Sequence, residues 1–415
     1  MFKFIHAADL HLDSPLRKLE RYDGAPVEDI RGATRRALAN LVQLAIDEEV
    51  AFVLIAGDVY DGNTRDFKTG LYFASEMSRL ADAGILVFLI SGNHDAENRM
   101  TRLVELPKEM VYRFRSKKPE TRHIEDLGVS IHGQSFATPA VNENLAEAYP
   151  RAVAGHYNVG LLHTCVDQEG THPRYAPCSL DELRSKEYEY WALGHIHKRE
   201  RLCSDAQIHF SGNTQGRHIN EEGAKGCLLV SVDDFQRTEV RFEPLDVFRW
   251  HRANVDATDA QTEHDVLERV LVSLGESLSL AEGRPVALRV NVSGSCRAHR
   301  ELASQPLRWK SELRAAARNI GAGQIWIEQA EIQTTPERDF EDAAFAGPLG
   351  ELAEYIAELR DDPNTLAWLH DQLTDLTSVL PAELREGESK LNLATALAHV
   401  QPLLLSRLLT RTTPR

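Results

Sequence analysis

Residues 50–61 read VAFVLIAGDVYD. An apolar run from Val50 to Ala56 stops at Gly57, and two carboxylates, Asp58 and Asp61, follow at once. A run of this length closed by a turn residue predicts a buried strand, with metal-binding side chains where the strand ends. The same grammar repeats along the first half of the chain. Residues 2–5 run toward Asp9 and His11, 85–90 into Gly92-Asn93-His94-Asp95, 159–162 into His163, and 190–193 into Gly194-His195-Ile196-His197. Further runs occupy 208–210 and 227–232. Between the first runs lie helical stripes, Leu38, Leu41, Val42 and Ala45 on one and Phe67, Leu71, Ala74 and Ala81 on another. The alternation predicts an α/β layered fold for residues 1–240.

Beyond it, residues 250–255, 263–280, 286–292, 309–319 and 325–331 read strand, helix, strand, helix, strand, a small second α/β domain over 241–335. Residues 336–415 read as helical. Leu349, Leu352, Ile356 and Leu359 share one stripe, Leu366, Leu369, Leu373 and Leu376 a second, Leu393, Leu397, Val400 and Leu404 a third. Pro381 and the polar stretch 386–389 separate the last two.

A chain of 415 residues, 42% hydrophobic, can bury sizeable cores and suggests two or three domains. Its start lacks the zones of a signal peptide and no apolar run reaches the roughly 18 residues of a membrane span, so a cytoplasmic protein is expected. The five cysteines form no CxxC pair and predict neither a disulfide framework nor a zinc knuckle. A net charge of −16 excludes a surface coated for non-specific nucleic-acid binding. Residues 336–415 hold 14 acidic against 7 basic residues, so any DNA-binding surface must be local.

In layered α/β sheets ligands bind beyond the carboxyl ends of the strands, so five such endings converge on one crevice. The residue types suit two adjacent divalent cations: carboxylates and an amide oxygen as hard donors, imidazoles as borderline ones, and no thiolate. The single-residue gap in Asp9-x-His11 and His195-x-His197 fits a strand end, where residues i and i+2 point the same way. Gly57, Gly92 and Gly194 each precede a candidate ligand and let the backbone turn sharply.

Asp-x-His, Gly-Asp-x-x-Asp, Gly-Asn-His-Asp, a lone His and Gly-His-x-His, in that order, resemble the calcineurin-like metallophosphoesterases. With HLDSPL at residues 11–16, the chain length, the second α/β domain and the helical end, the chain is most similar to the bacterial DNA double-strand-break repair nucleases of the SbcD type, in particular their YhaO branch. The resemblance implies a phosphoesterase sandwich whose second domain caps the nuclease site. It also implies a helical end docking on an SMC-like coiled-coil ATPase of the SbcC type, and a homodimer.

Carried over residue by residue, the resemblance implies one metal, with Mn²⁺ expected, held by Asp9, His11, Asp58 and His197. The other would be held by Asp58, Asn93, His163 and His195, with Asp58 bridging. His94 would stabilise the transition state or protonate the leaving oxygen. Asp95 would orient His94 or a ligand. Asp61 would support the site. The expected reaction is cleavage of DNA phosphodiesters, as exonuclease or endonuclease.

Other readings stand beside these. Arg99, Arg102, Lys198, Arg199, Arg201, Arg217 and His218 could form a phosphate-binding rim or a solvated surface. The stretch YRFRSKK at 112–118 interleaves aromatics with cations, as for stacking on nucleic acid or as a charged edge strand. Residues 211–217, SGNTQGR, stand where the relatives carry a Pro-Gly-Ser-type loop, and the proline is missing. The C-terminal stripes most simply make a self-contained packing unit. The competing functions are a small-nucleotide phosphodiesterase or phosphatase and an adaptor for the ATPase. Against a phosphoprotein phosphatase, Asp61-Gly62-Asn63 replaces the Asp-Arg-Gly of those enzymes.

Overall fold

The apolar runs become strands whose ends set the site. The first sheet holds β1 (Phe2–Ala7), β2 (Phe52–Ala56), β3 (Leu86–Ile90), β4 (Val111–Arg113), β11 (Gly226–Val232) and β12 (Thr238–Pro244), in the order β12-β11-β1-β2-β3-β4. The second holds β5 (Glu120–Ile124), β6 (Val129–Gly133), β7 (Tyr157–His163), β8 (Tyr190–Gly194), β9 (Glu200–Arg201) and β10 (Ile208–Phe210), in the order β5-β6-β7-β8-β10-β9. β1 to β4 run parallel, as do β6, β7, β8 and β10, and antiparallel strands complete each sheet. These are the two mixed sheets of a phosphoesterase sandwich.

The computed structural model describes residues 1–14, 30, 32–62, 66–98, 103–167, 175–321, 323–337 and 348–373. The chain divides into two compact units, one of Met1–His251 with Leu280–Ala287, the other of Arg252–Ser279 with the described residues from Leu288 onward.

Period-2 alternation sorts the central strands between two cores. Phe4, Phe52, Leu54, Phe88 and Ile90 meet Ile131, Val159, Leu161 and Tyr190 between the sheets. Ile5, Val53, Ile55, Val87 and Leu89 turn the other way, onto the helices Ala33–Asp47 and Phe67–Asp82. With both faces covered, the strands read as unbroken apolar runs. Phe4 stacks on Phe52 at 4.8 Å between ring centroids, and Tyr190 meets Phe4 edge-on at 5.2 Å. Each such ring contributes about 1.5–3 kcal/mol through burial. His6, fully buried in the same layer, satisfies both ring nitrogens, on the Tyr190 hydroxyl at 3.0 Å and the Leu193 carbonyl at 3.1 Å.

One expectation shifts. The helix Phe67–Asp82 buries Gly70, Phe73, Met77 and Leu80, while Phe67 and Leu71 are about half exposed. Its inward face is thus rotated from the expected stripe. Residues 112–118 include the end of β4, an edge strand, where the Tyr112 hydroxyl and the Arg115 backbone N–H both donate to Glu120.

The second unit is built on a separate small sheet in the order β13-β14-β15, where β13 is Arg249–Asp256, β14 Val286–Ser295 and β15 Ile325–Thr335. The helix Glu263–Leu280 buries Val266, Val270 and Leu274, and the helix Pro306–Ile320 buries Trp309, Leu313 and Ala317. Helices Pro348–Asp361 and Pro363–Gln372 follow. Leu376, Pro381, residues 386–389 and the stripe Leu393, Leu397, Val400, Leu404 lie outside the described residues, as do Pro15, Leu16, Asn63, Arg99 and Arg102. Among the described residues no helix is long and apolar enough to cross a membrane.

Candidate metal centre

β1 ends at Ala7 and β2 at Ala56, and beyond them the two chains run side by side. The backbone N–H of Asp9 donates to Gly57 O, that of His11 to Asp58 O and that of Leu12 to Val59 O, at 3.0, 3.0 and 2.9 Å. Asp9 and His11 therefore lie past the strand rather than on its pleat. Their common aim comes from left-handed backbone, φ 53° and 41°, and Asp58 and His195 share it at 53° and 101°. Such backbone is costly for residues with side chains, and its clustering in these loops marks a functional site. Gly57 has φ 94°, and a Cβ there would stand 2.6 Å from His163 Nδ1. A Cβ on Gly92 would collide with the Asp58 carboxylate.

The endings meet around one crevice, although His195 belongs to none of the clusters of metal-ligating atoms among the described residues. Ligand atoms of Asp9, His11 and His197 lie within 4.8 Å of one another, as do those of Asp9, Asp58 and His163, and of His11, Asp58 and His94. His163 Nε2 stands 3.1 Å from Asn93 Oδ1 and 3.4 Å from Asp58 Oδ2. The His195 ring centroid is 5.3 Å from that of His163, and its backbone N–H donates to both Asp9 oxygens at 3.1 Å.

The supporting residues take distinct places. Asp61 Oδ1 lies 3.1 Å from His94 Nδ1, and Ser14 donates to Asp61 Oδ2 at 2.7 Å. The Gly62 N–H also points at His94 Nδ1, at 3.1 Å. One nitrogen cannot donate to Asp61 and accept from Gly62, and the charged acceptor prevails, so Nδ1 carries the proton. Asp95 accepts from the backbone N–H groups of Tyr60 at 2.9 Å and of Val59 and Gly92 at 3.2 Å. It ties together the loops that carry Asp58 and Asn93.

Burial opposes charge throughout, and the neighbours decide the outcome. Burial would raise Asp58, but His163, His11 and His94 together outweigh it and hold the carboxyl far below its ordinary range. Burial would lower His163, but Asp58 and Asp9 push it up. Asp9 is raised by burial against the pull of His197 and His163. Asp95 is raised to about 6, by burial and then by the charge of Asp58. Asp61 is held low by His11 and His94 against burial, and His94 is raised by Asp61 and Asp58 against it.

The arrangement fits divalent cations. His11 Nε2 faces His197 Nε2 at 3.2 Å, and His11 Nδ1 stands 3.6 Å from Asp61 Oδ1. Two imidazole nitrogens brought this close suit a divalent cation that both would hold. His197 Nδ1 is engaged by Glu221 Oε1 at 2.8 Å, a residue that no sequence pattern singled out.

Among the expected rim residues, Lys198, Arg217 and His218 line a cleft of about 840 Å³ together with Asp58, Asn93, His94, His195 and His197. Arg199 instead stacks on Phe242 with its guanidinium carbon 3.8 Å from the ring centroid, and Arg201 donates to Ser204 O.

A two-sheet sandwich with carboxylates and imidazoles gathered beyond its parallel strands defines a metallophosphoesterase. Residues 2–199 match the calcineurin-like phosphoesterase family, and 250–335 match the middle domain of metallophosphoesterase YhaO. The metallophosphoesterase YhaO of Bacillus subtilis (strain 168) is 35% identical over 296 residues, covering 70% of this chain and 72% of that protein. The DNA double-strand break repair protein Mre11 of Sulfurisphaera tokodaii is 27% identical over 203 residues, 48% of this chain and 49% of its own length. The chain thus spans about half of that archaeal relative. A dimetal phosphatase structure from Danio rerio is similar over 59% of this chain and 96% of its own, at 14% identity and a TM-score of 0.38. The chain belongs to the YhaO family of calcineurin-like metallophosphoesterases, with distant kinship to the Mre11 repair nucleases.

Proposed function

We propose that this chain is a DNA nuclease that hydrolyses phosphodiester bonds at a binuclear metal centre. The observation that carries the reading is the cleft. On a chain of net charge −16 the candidate metal ligands open into a cleft lined also by Lys198, Arg217, His218 and Lys225, interspersed with Glu221 and Glu222, and two bound cations there would supply the charge that suits a phosphate-bearing substrate. The kinship to proteins named for DNA double-strand break repair supports DNA as the source of that phosphate.

In this reading Asp9, His11, Asp58 and His197 hold one ion, and Asp58, Asn93, His163 and His195 the other, Asp58 being shared. Two divalent ions, with Mn²⁺ the expected metal, would neutralise charge on the phosphate and make water a competent nucleophile near neutral pH. Asp61 fixes His94 through Nδ1 and, with Asp58, favours the imidazolium, whose Nε2–H can donate to a phosphate or leaving oxygen. Asp95 holds the two ligand loops in register. The chain would work as a homodimer, its C-terminal region docking on an SMC-like ATPase.

Incubating the purified chain with end-labelled linear DNA and Mn²⁺, Mg²⁺ or chelator tests this. Cleavage that needs the metal is expected, and product lengths separate exonuclease from endonuclease action. Turnover of cyclic nucleotides with intact DNA would overturn it in favour of a small-nucleotide phosphodiesterase.

A further inference from the structure

The loop between β10 and β11 carries a carboxylate with an unusual number of partners. Glu221 is 4% exposed. Its Oε1 faces His197 Nδ1 at 2.8 Å, the Arg217 guanidinium at 3.0 Å and His218 Nε2 at 3.5 Å. Its Oε2 accepts from the Arg217 backbone N–H at 2.7 Å and the Asn213 amide at 2.9 Å. From the same loop, Lys225 Nζ donates to the His197 carbonyl at 3.0 Å. The segment 211–226 thus grips His197 by ring and by backbone.

His197 Nδ1 also lies 3.1 Å from an Arg217 nitrogen, which can only donate. The ring nitrogen must choose between accepting from Arg217 and donating to Glu221. The shorter contact to an ionised carboxylate is the stronger, so Nδ1 keeps its proton. That leaves Nε2, the nitrogen facing His11, with a bare lone pair.

We propose that Glu221 is a positioning residue of the metal centre, fixing the tautomer and angle of His197 so that Nε2 is presented to an ion, with Asn213 and Arg217 holding the carboxylate in place. The inference rests on His197 being a metal ligand, as in the reading above. Carboxylates behind ligating imidazoles typically govern metal affinity by about 10–100-fold.

Calorimetric titration of the full chain with Mn²⁺, for wild type, E221A and E221Q, tests it, with unfolding in chelator as the check on folding. E221A is expected to weaken one of two Mn²⁺ sites by up to about 100-fold, and E221Q, whose neutral amide accepts less strongly, by about 10-fold. A loop staple with no role at the metal would lower the unfolding temperature in chelator and leave affinity unchanged. Wild-type affinity in E221A overturns the proposal. Should E221A not fold, wild-type affinity in E221Q overturns it equally. A wild-type chain that binds no Mn²⁺ overturns instead the metal assignment beneath it.

Discussion

His163 Nδ1 donates to the carbonyl of Ala56, the last residue of β2, at 2.9 Å. The bond spans the two sheets and leaves Nε2 facing the oxygens of Asp58 and Asn93. The Asp58 and Asp9 carboxylates, helped by the bond to Ala56, raise the ring above its ordinary pKa against burial, and a bound cation would compete with that proton. Mn²⁺ at a hundredfold excess over its Kd should add about 2.7 kcal/mol to the unfolding free energy and release protons on binding. Thermal unfolding with and without chelator reads the first, and titration in buffers of different ionisation enthalpy the second. A chain indifferent to Mn²⁺ in both would count against the site.

His94 and Asp58 should separate chemistry from assembly. His94→Ala is expected to reduce metal-dependent DNA cleavage by about 10²–10⁴-fold while Mn²⁺ binding stays within a few-fold of wild type. Asp58→Asn should lose both. Equal loss of binding in the two variants would mean that His94 is a ligand rather than the donor assigned here.

His195 sits at φ 101°, a conformation open to glycine and strained for other residues. H195G should therefore be more stable than H195A by about 1 kcal/mol, although both lose activity. Denaturant unfolding in chelator compares them directly. Equal stability would show that the surrounding structure relaxes the backbone.

His6 sets an acid limit on folding. Burial, helped by the charge of His209 and opposed by the bond to Leu193, lowers its pKa to about 3. An unfolded chain binds this proton below about pH 6.5 while the folded chain refuses it, so the contribution is complete above pH 6.5. It is lost as pH falls toward 3, by up to about 1.4 kcal/mol per pH unit. H6Q should flatten unfolding free energy against pH between 6.5 and 4, and an unchanged slope would assign the acid sensitivity elsewhere.

The strand endings were legible because parallel strands buried on both faces leave unbroken apolar runs, and Asp9, Asp58, Asn93, His163 and His195 follow those runs directly. β6 escaped because Ser130 and His132, fully buried and hydrogen-bonded to other side chains, interrupt its pattern. The edge strands β5 and β9 bury almost nothing and left no run to read. The pleat explanation for Asp9-x-His11 missed because left-handed backbone, rather than alternation, aims those side chains. Glu221 was invisible for a different reason. A glutamate in a polar loop acquires meaning only when the fold sets it against an imidazole 24 residues away.

Asp9, His11, Asp58 and Asn93 hang from one sheet, and His163, His195 and His197 from the other. A slip of one layer over its neighbour would alter the distances between these two groups together. The crevice is therefore a gauge of alignment across the sandwich. Trimming Phe4 or Tyr190, packed between the sheets, is expected to weaken Mn²⁺ binding, read by calorimetric titration, under conditions where the chain is still folded.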